Sequence, residues 1–212
     1  MIEASPPTVK RFSLELGGDA PVLVFEDADL DAAVADIVGL KLANAGQICV
    51  APNRVFVHES IFEAFIEKAK ALMENYRFLG DSGDGPELSP LCTERSLEQM
   101  VDFCQPANHG GTVVTGGKRA ERLGYFLEPT LIRDVDRNSK LTCEEIFGPI
   151  MPVMPFNHSE DIFALANDTV YGLSAYVYTE SLSRALEAER RLLFGNILIN
   201  EAFHSPLLGI FV

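Results

Sequence analysis

The chain has 212 residues, of which 47% are apolar and 23% charged, a composition that supports a buried core and excludes disorder. Lys and Arg total 17 against 31 Asp and Glu, a formal charge of −14. A surface so negative repels nucleic acid and anionic bilayers, so neither is an expected partner.

In chain order, Val22-Leu23-Val24-Phe25 is a short continuous apolar run that fits a buried parallel strand. Asp27 and Asp29 then offer capping oxygens to a helix over 30–44, where Leu30, Ala33, Val34, Ile37 and Val38 share one face. Gly46 is a natural stop for that helix. Residues 54–58 read as a strand. A second helix follows, striped by Ile61, Phe62, Phe65, Ile66, Ala69 and Leu72. Residues 81–86 (DSGDGP) have the composition of a loop. A helix is expected over 93–105, and strands over 112–115, 125–132 and 150–156. A short helix over 159–166, a strand over 175–179, a helix over 181–193 and a last strand over 196–200 complete the series. This alternation predicts an α/β domain: a mostly parallel twisted sheet with helices on both faces. Sheets of that kind place chemistry in loops beyond the carboxyl ends of their strands.

Cysteines stand at 49, 92, 104 and 143, and neither they nor the four histidines have partners at metal-ligand spacing. No metal site is therefore expected. A chain of this size folds without disulfides, so reduced thiols and a cytoplasmic location are the expectation. The first seven residues lack the pattern of a secretory signal, and no apolar run reaches the length of a membrane span.

Three segments could carry chemistry. Cys49, in Asn44-Ala45-Gly46-Gln47-Ile48-Cys49, falls just past a helix end where a thiol can be reached, although most free cysteines are merely small buried hydrophobes. Glu15 lies between leucines and before Gly17-Gly18. Burial there would raise its pKa towards that of a general base, the plainer alternative being an exposed carboxylate. Glu144-Glu145-Ile146-Phe147-Gly148-Pro149 sets two carboxylates before an aromatic ring and a tight turn, which suits either a polar ring-bearing ligand or a solvated turn. Cys104, inside an expected helix, reads as core.

Taken in order, LELGG (14–18), the AP and VLVFEDADLDAAV that follow it, NAGQICVAPNR (44–54), YFLEPTLI (125–132), EEIFGPIMPV (144–153), ANDTVYGLSAYVYT (166–179) and GNILIN (195–200) resemble the catalytic domain of the aldehyde dehydrogenase superfamily. The resemblance runs from about residue 13 to 200. It implies that Cys49 is the nucleophile that attacks an aldehyde to give a thiohemiacetal, that hydride passes to NAD or NADP, and that Glu15 activates the water that hydrolyses the remaining thioester. It implies that the Cys49 N–H forms part of the oxyanion hole and that 44–46 shape the turn presenting the thiol. It also implies that Glu145 and Phe147, with Leu16 and Gly17, hold the nicotinamide end of the cofactor.

The resemblance further implies that 1–212 is one catalytic thiol domain, with the cofactor-binding half that precedes it in the family absent and the carboxyl end cut short. The isolated chain is then expected to turn over weakly or not at all. The same expectation of uncovered surfaces favours a homo-oligomer, most simply a dimer. NAGQICVAPNR is closest in flavour to succinate-semialdehyde dehydrogenases, but Ala51 stands where that group often has a second cysteine. Asp19, after the glycines, is expected to add negative charge near Glu15. Two other readings remain open: a cofactor-independent thiol esterase using Cys49 and Glu15, and a catalytically silent folded remnant or interaction domain.

Overall fold

The computed structural model describes residues 16–202. Its strands are β1 (Ala20–Val24), β2 (Pro52–His58), β3 (Arg77–Phe78), β4 (Glu87–Leu88), β5 (Thr112–Thr115), β6 (Thr130–Arg133), β7 (Ile150–Phe156), β8 (Ser174–Tyr178) and β9 (Asn196–Ile199). Its α-helices are α1 (Leu30–Leu42), α2 (Phe62–Glu74), α3 (Glu94–Phe103), α4 (Pro106–His109), α5 (Lys140–Cys143), α6 (Ile162–Asn167) and α7 (Leu182–Arg191).

Among the described residues, seven strands form one sheet in the order β5-β6-β7-β2-β1-β8-β9, parallel throughout except for the β5–β6 edge pair. The α/β expectation therefore holds. The connection β1–α1–β2 steps one way across the sheet, while β7–α6–β8 and β8–α7–β9 step the other way. Right-handed crossovers of opposite direction put their helices on opposite faces. Accordingly α1 packs on α2, and α6 packs on α7 and β1. Every residue of β1, β2 and β8 is buried, as strands covered on both faces must be.

Local chemistry sets most boundaries where the sequence placed them. Asp29 caps α1 by accepting from the Ala32 N–H at 3.1 Å, and Thr93, Asp161 and Ser181 do the same for α3, α6 and α7. Several ends shift by two or three residues, as where α6 begins at Ile162 rather than 159, and two of the differences have a plain local cause. α1 ends at Leu42 rather than 44, because Asn44 and Ala45 take φ of 50° and 55°, outside helical geometry. The strand expected over 125–132 is confined to β6, because Pro129 cannot donate to a ladder; the stretch before it makes one isolated bridge, Arg119 with Leu127. The small β3–β4 pair was not foreseen; Arg77 closes the loop between them by donating to the Asp81 carbonyl at 2.5 Å and the Gly85 carbonyl at 3.1 Å. Among the described residues no helix is long and apolar enough to cross a membrane.

Candidate active site

Four neighbouring strands, β7, β2, β1 and β8, run parallel, so the loops leading into them share one edge of the sheet. Those loops hold Leu16–Asp19, Asn44–Ala51, Glu144–Pro149 and Asp168–Leu173. The sequence motifs therefore meet at the amino ends of the strands, and the expectation of a site beyond the carboxyl ends is wrong for them. Parallel pairing of these four strands, rather than the chain order of helices, decides which loops meet.

Gly18 is the centre of the arrangement. Its N–H donates to Glu145 Oε1 at 2.8 Å, and its carbonyl accepts from Asn53 Nδ2 at 3.2 Å. A β-carbon on Gly18 would overlap the Cys49 carbonyl oxygen, so only glycine lets the two loops touch. A β-carbon on Gly17 would come within 2.7 Å of Glu145 Oε2 and 3.0 Å of the Tyr171 ring. Gly46, at φ 73°, packs against the Gly148 carbonyl and locks the Cys49 loop to the Glu145 loop. Residues 17–18, 49 and 145 are thus brought together from three distant stretches of chain.

The Cys49 loop is held from several sides. Asn44 Nδ2 donates to the Gln47 carbonyl at 3.0 Å, Gln47 Nε2 returns a bond to the Asn44 carbonyl at 2.9 Å, and Gln47 Oε1 accepts the Cys92 N–H at 2.9 Å. The buried Tyr176 hydroxyl donates to the Val50 carbonyl at 2.7 Å, beside Cys49. Desolvation pushes the Tyr176 phenol far up, so it remains a donor. Three non-glycine residues in these loops, Asn44, Ala45 and Phe147, have φ of 50–55°. Such strain persists only where surrounding contacts fix it. Cys49 as a residue is half-buried. Cys92 and Cys143 are exposed, and Cys104 is buried in the core as expected, its thiol pushed up to about 11 by desolvation.

Near Gly18 lie three buried charged residues, Lys41, Asp19 and Arg54, whose burial sequence reasoning missed. Lys41 is wholly buried, and its Nζ donates to Asn53 Oδ1 at 2.9 Å. Burial lowers its pKa to about 7, against the pull of Asp19 and Glu145. Its only signal in sequence is a lysine between the two leucines that end α1. Asp19 Oδ2 lies 2.8 Å from Arg54 Nε, an ion pair whose angle is too bent for a hydrogen bond. Thr169 Oγ1 donates to the same oxygen at 3.2 Å. Arg54 also donates to the Asp19 and Ala166 carbonyls, at 3.2 and 2.8 Å. Desolvation outweighs the attraction on both sides, raising Asp19 and lowering Arg54. Asp19 is therefore a buried group paired with Arg54 rather than a free surface charge.

Glu15 lies outside the described residues. Its described neighbour Leu16 is 70% exposed. Phe147 is 43% exposed on the same edge. Leu16 and Phe147 offer apolar surface, and the bare α-carbon of Gly17 leaves room beside Glu145 Oε2 that a β-carbon would fill. These residues fit a flat ring joined to a hydroxylated sugar.

The model of the family described as "Aldehyde dehydrogenase family" matches residues 1–209. The chain is 40% identical over 206 residues to the mitochondrial succinate-semialdehyde dehydrogenase of Arabidopsis thaliana, covering 97% of this chain and 39% of that one. It is also 40% identical over 202 residues to the NADP(+) succinate-semialdehyde dehydrogenase of Escherichia coli, covering 94% and 42%. The crystal structure of an aldehyde dehydrogenase from Brucella melitensis superposes with a TM-score of 0.86 at 38% identity, over 94% of this chain and 41% of that one. The chain spans about two-fifths of the length of the curated relatives it matches.

Proposed function

Because the chain belongs to the aldehyde dehydrogenase family, we propose that it carries the thiol centre of an NAD(P)-dependent aldehyde oxidation, with residues 1–212 as its catalytic domain. The observation that supports this best is Gly18, touching Cys49 through its α-carbon and Glu145 through its N–H. Nucleophile loop and cofactor loop are thereby set on one rigid strand start.

In the proposed reaction the Cys49 sulfur attacks the aldehyde carbon and forms a thiohemiacetal, while the Cys49 N–H receives the developing oxyanion. Glu145, Phe147, Leu16 and Gly17 would hold the nicotinamide ribose. When bound, the nicotinamide supplies the acceptor for the hydride whose loss converts the adduct to a thioester. Glu15 takes a proton from the water that attacks the thioester carbon, and the Cys49 thiolate leaves with the carboxylic acid formed. Tyr176 and Gln47 keep the thiol loop in place during both steps.

A short aldehyde bearing a carboxylate is the proposed substrate class, carried over from the succinate-semialdehyde relatives. All four cysteines are free, which favours a reducing compartment such as the cytoplasm. Self-association is part of the reading. Leu182, Leu186 and Leu193 are exposed near edge strand β9, and light scattering showing only monomer at high concentration would remove it.

Acylation by p-nitrophenyl acetate tests the centre without any cofactor. Mass spectrometry should find one acetyl group on Cys49, none in Cys49→Ala, and a longer-lived one in Glu15→Gln. Equal ester hydrolysis by all three proteins refutes the assignment.

A further inference from the structure

At the opposite, carboxyl edge of the sheet the structure gathers a different set of residues. Glu26 follows β1, His58 ends β2 and His158 follows β7, and these three strands are neighbours. One ligand atom from each residue lies within 4.8 Å of the other two. The residues are far apart in sequence, which is why histidine spacing gave no sign of them.

His58 is 5% exposed. Its Nδ1 lies 2.8 Å from Ser60 Oγ, while its Nε2 is buried and has no partner. Glu26 Oε2 is also buried without a partner. Its other oxygen accepts from Arg184 Nη2 at 2.8 Å. The more exposed His158 lies against His58, with ring centroids 4.4 Å apart and planes tilted by 46°, and holds Nε2 3.7 Å from Glu26 Oε1. An unpartnered buried polar atom costs about 1–3 kcal/mol. Two residues with such atoms, clustered with a more exposed imidazole, suit a ligand that accepts three lone pairs.

We propose that Glu26, His58 and His158 hold one divalent, borderline-soft cation of the zinc class. Two imidazole nitrogens and one carboxylate oxygen are a donor set such ions favour, with the fourth position open to solvent. His58 Nδ1 also receives the Ser60 backbone N–H at 3.4 Å, so metal binding through Nε2 requires Nδ1 to give up that long bond and donate instead to Ser60 Oγ, 2.8 Å away. Metal–ligand bonds of about 2.0–2.2 Å require the three atoms to close in, and the exposed His158 side chain supplies that movement. Arg184 is the group most opposed to a cation here, but its Nη1 also pairs with Asp27 Oδ1 at 2.9 Å. Two carboxylates to one guanidinium leave the neighbourhood negative. The ion would staple the ends of three adjacent strands, far from the thiol edge.

The test uses the whole chain with its accessible thiols alkylated, so that cysteine cannot bind the probe. Zn2+ affinity is read by competition with a chromophoric chelator, and Co2+ absorption reports the coordination number. One equivalent should bind, the Co2+ spectrum should be four-coordinate, and saturating Zn2+ should raise the melting temperature. His158→Ala and Glu26→Gln, both at positions open enough to keep the fold by circular dichroism, should each weaken binding at least about tenfold. No stoichiometric Zn2+ binding, or undiminished affinity in both variants, overturns the proposal.

Discussion

Replacing Lys41 by methionine removes a fully buried amine that sits under the glycine joining the two site loops. The folded pKa of Lys41 is about 7, against 10.5 when solvated. Between those values the unfolded chain binds a proton that the folded chain does not. Stability therefore rises with pH across that window, and below pH 7 the chain carries the whole cost of burying the charge. At about 1.36 kcal/mol per unit, the full window is worth about 5 kcal/mol. Lys41→Met lacks this dependence but leaves Asn53 Oδ1 without its donor, a loss of about 1–3 kcal/mol. The variant should be the more stable protein at pH 6, and the curves should converge or cross as the pH approaches 10. Urea unfolding at a series of pH values measures this. The wild-type minus variant difference should climb by about 3 kcal/mol between pH 7 and 9.5, with unchanged m-values. A difference that stays flat over that range refutes the reasoning, because it means that folding leaves the Lys41 pKa where it was.

Other substitutions read other parts of the arrangement. Gly18→Ala drives a methyl group into the Cys49 carbonyl, and a misplacement of about 1 Å should slow Cys49 acylation by about a hundredfold while the circular dichroism spectrum is retained. Acylation at the wild-type rate would show that the two loops do not touch in solution. Asp19→Asn leaves the buried Arg54 guanidinium uncompensated and should cost about 3–5 kcal/mol in urea unfolding. The double variant Asp19→Leu/Arg54→Met should recover most of that loss, since burial already outweighs attraction for both partners. Additive losses in the double variant would contradict it. Asp29→Ala removes the cap of α1 and should lower stability by about 1 kcal/mol, seen as a reduced melting temperature with activity preserved.

Much of this protein is written locally. Apolar period and run length placed the main-sheet strands and the longer helices, because burial on one face or both leaves its mark every two or every three to four residues. Caps such as Asp29 and Thr93 act on amides three residues away, so they too are visible along the chain. Motif resemblance singled out Cys49, Glu145 and Phe147, and the structure sets all three at one edge of the sheet.

What lay beyond the sequence depends on strand pairing. Nothing local says that β7, β2, β1 and β8 lie side by side, and that order alone brings residues 17–18, 49 and 145 together at their amino ends. The same order joins Glu26, His58 and His158 at the other end. It also hides Lys41 and the Asp19–Arg54 pair, charged residues whose composition reads as surface. Leu16, apolar and yet exposed, is the converse. A side chain's type records its transfer preference; whether that preference is met is decided by what the rest of the chain packs against it.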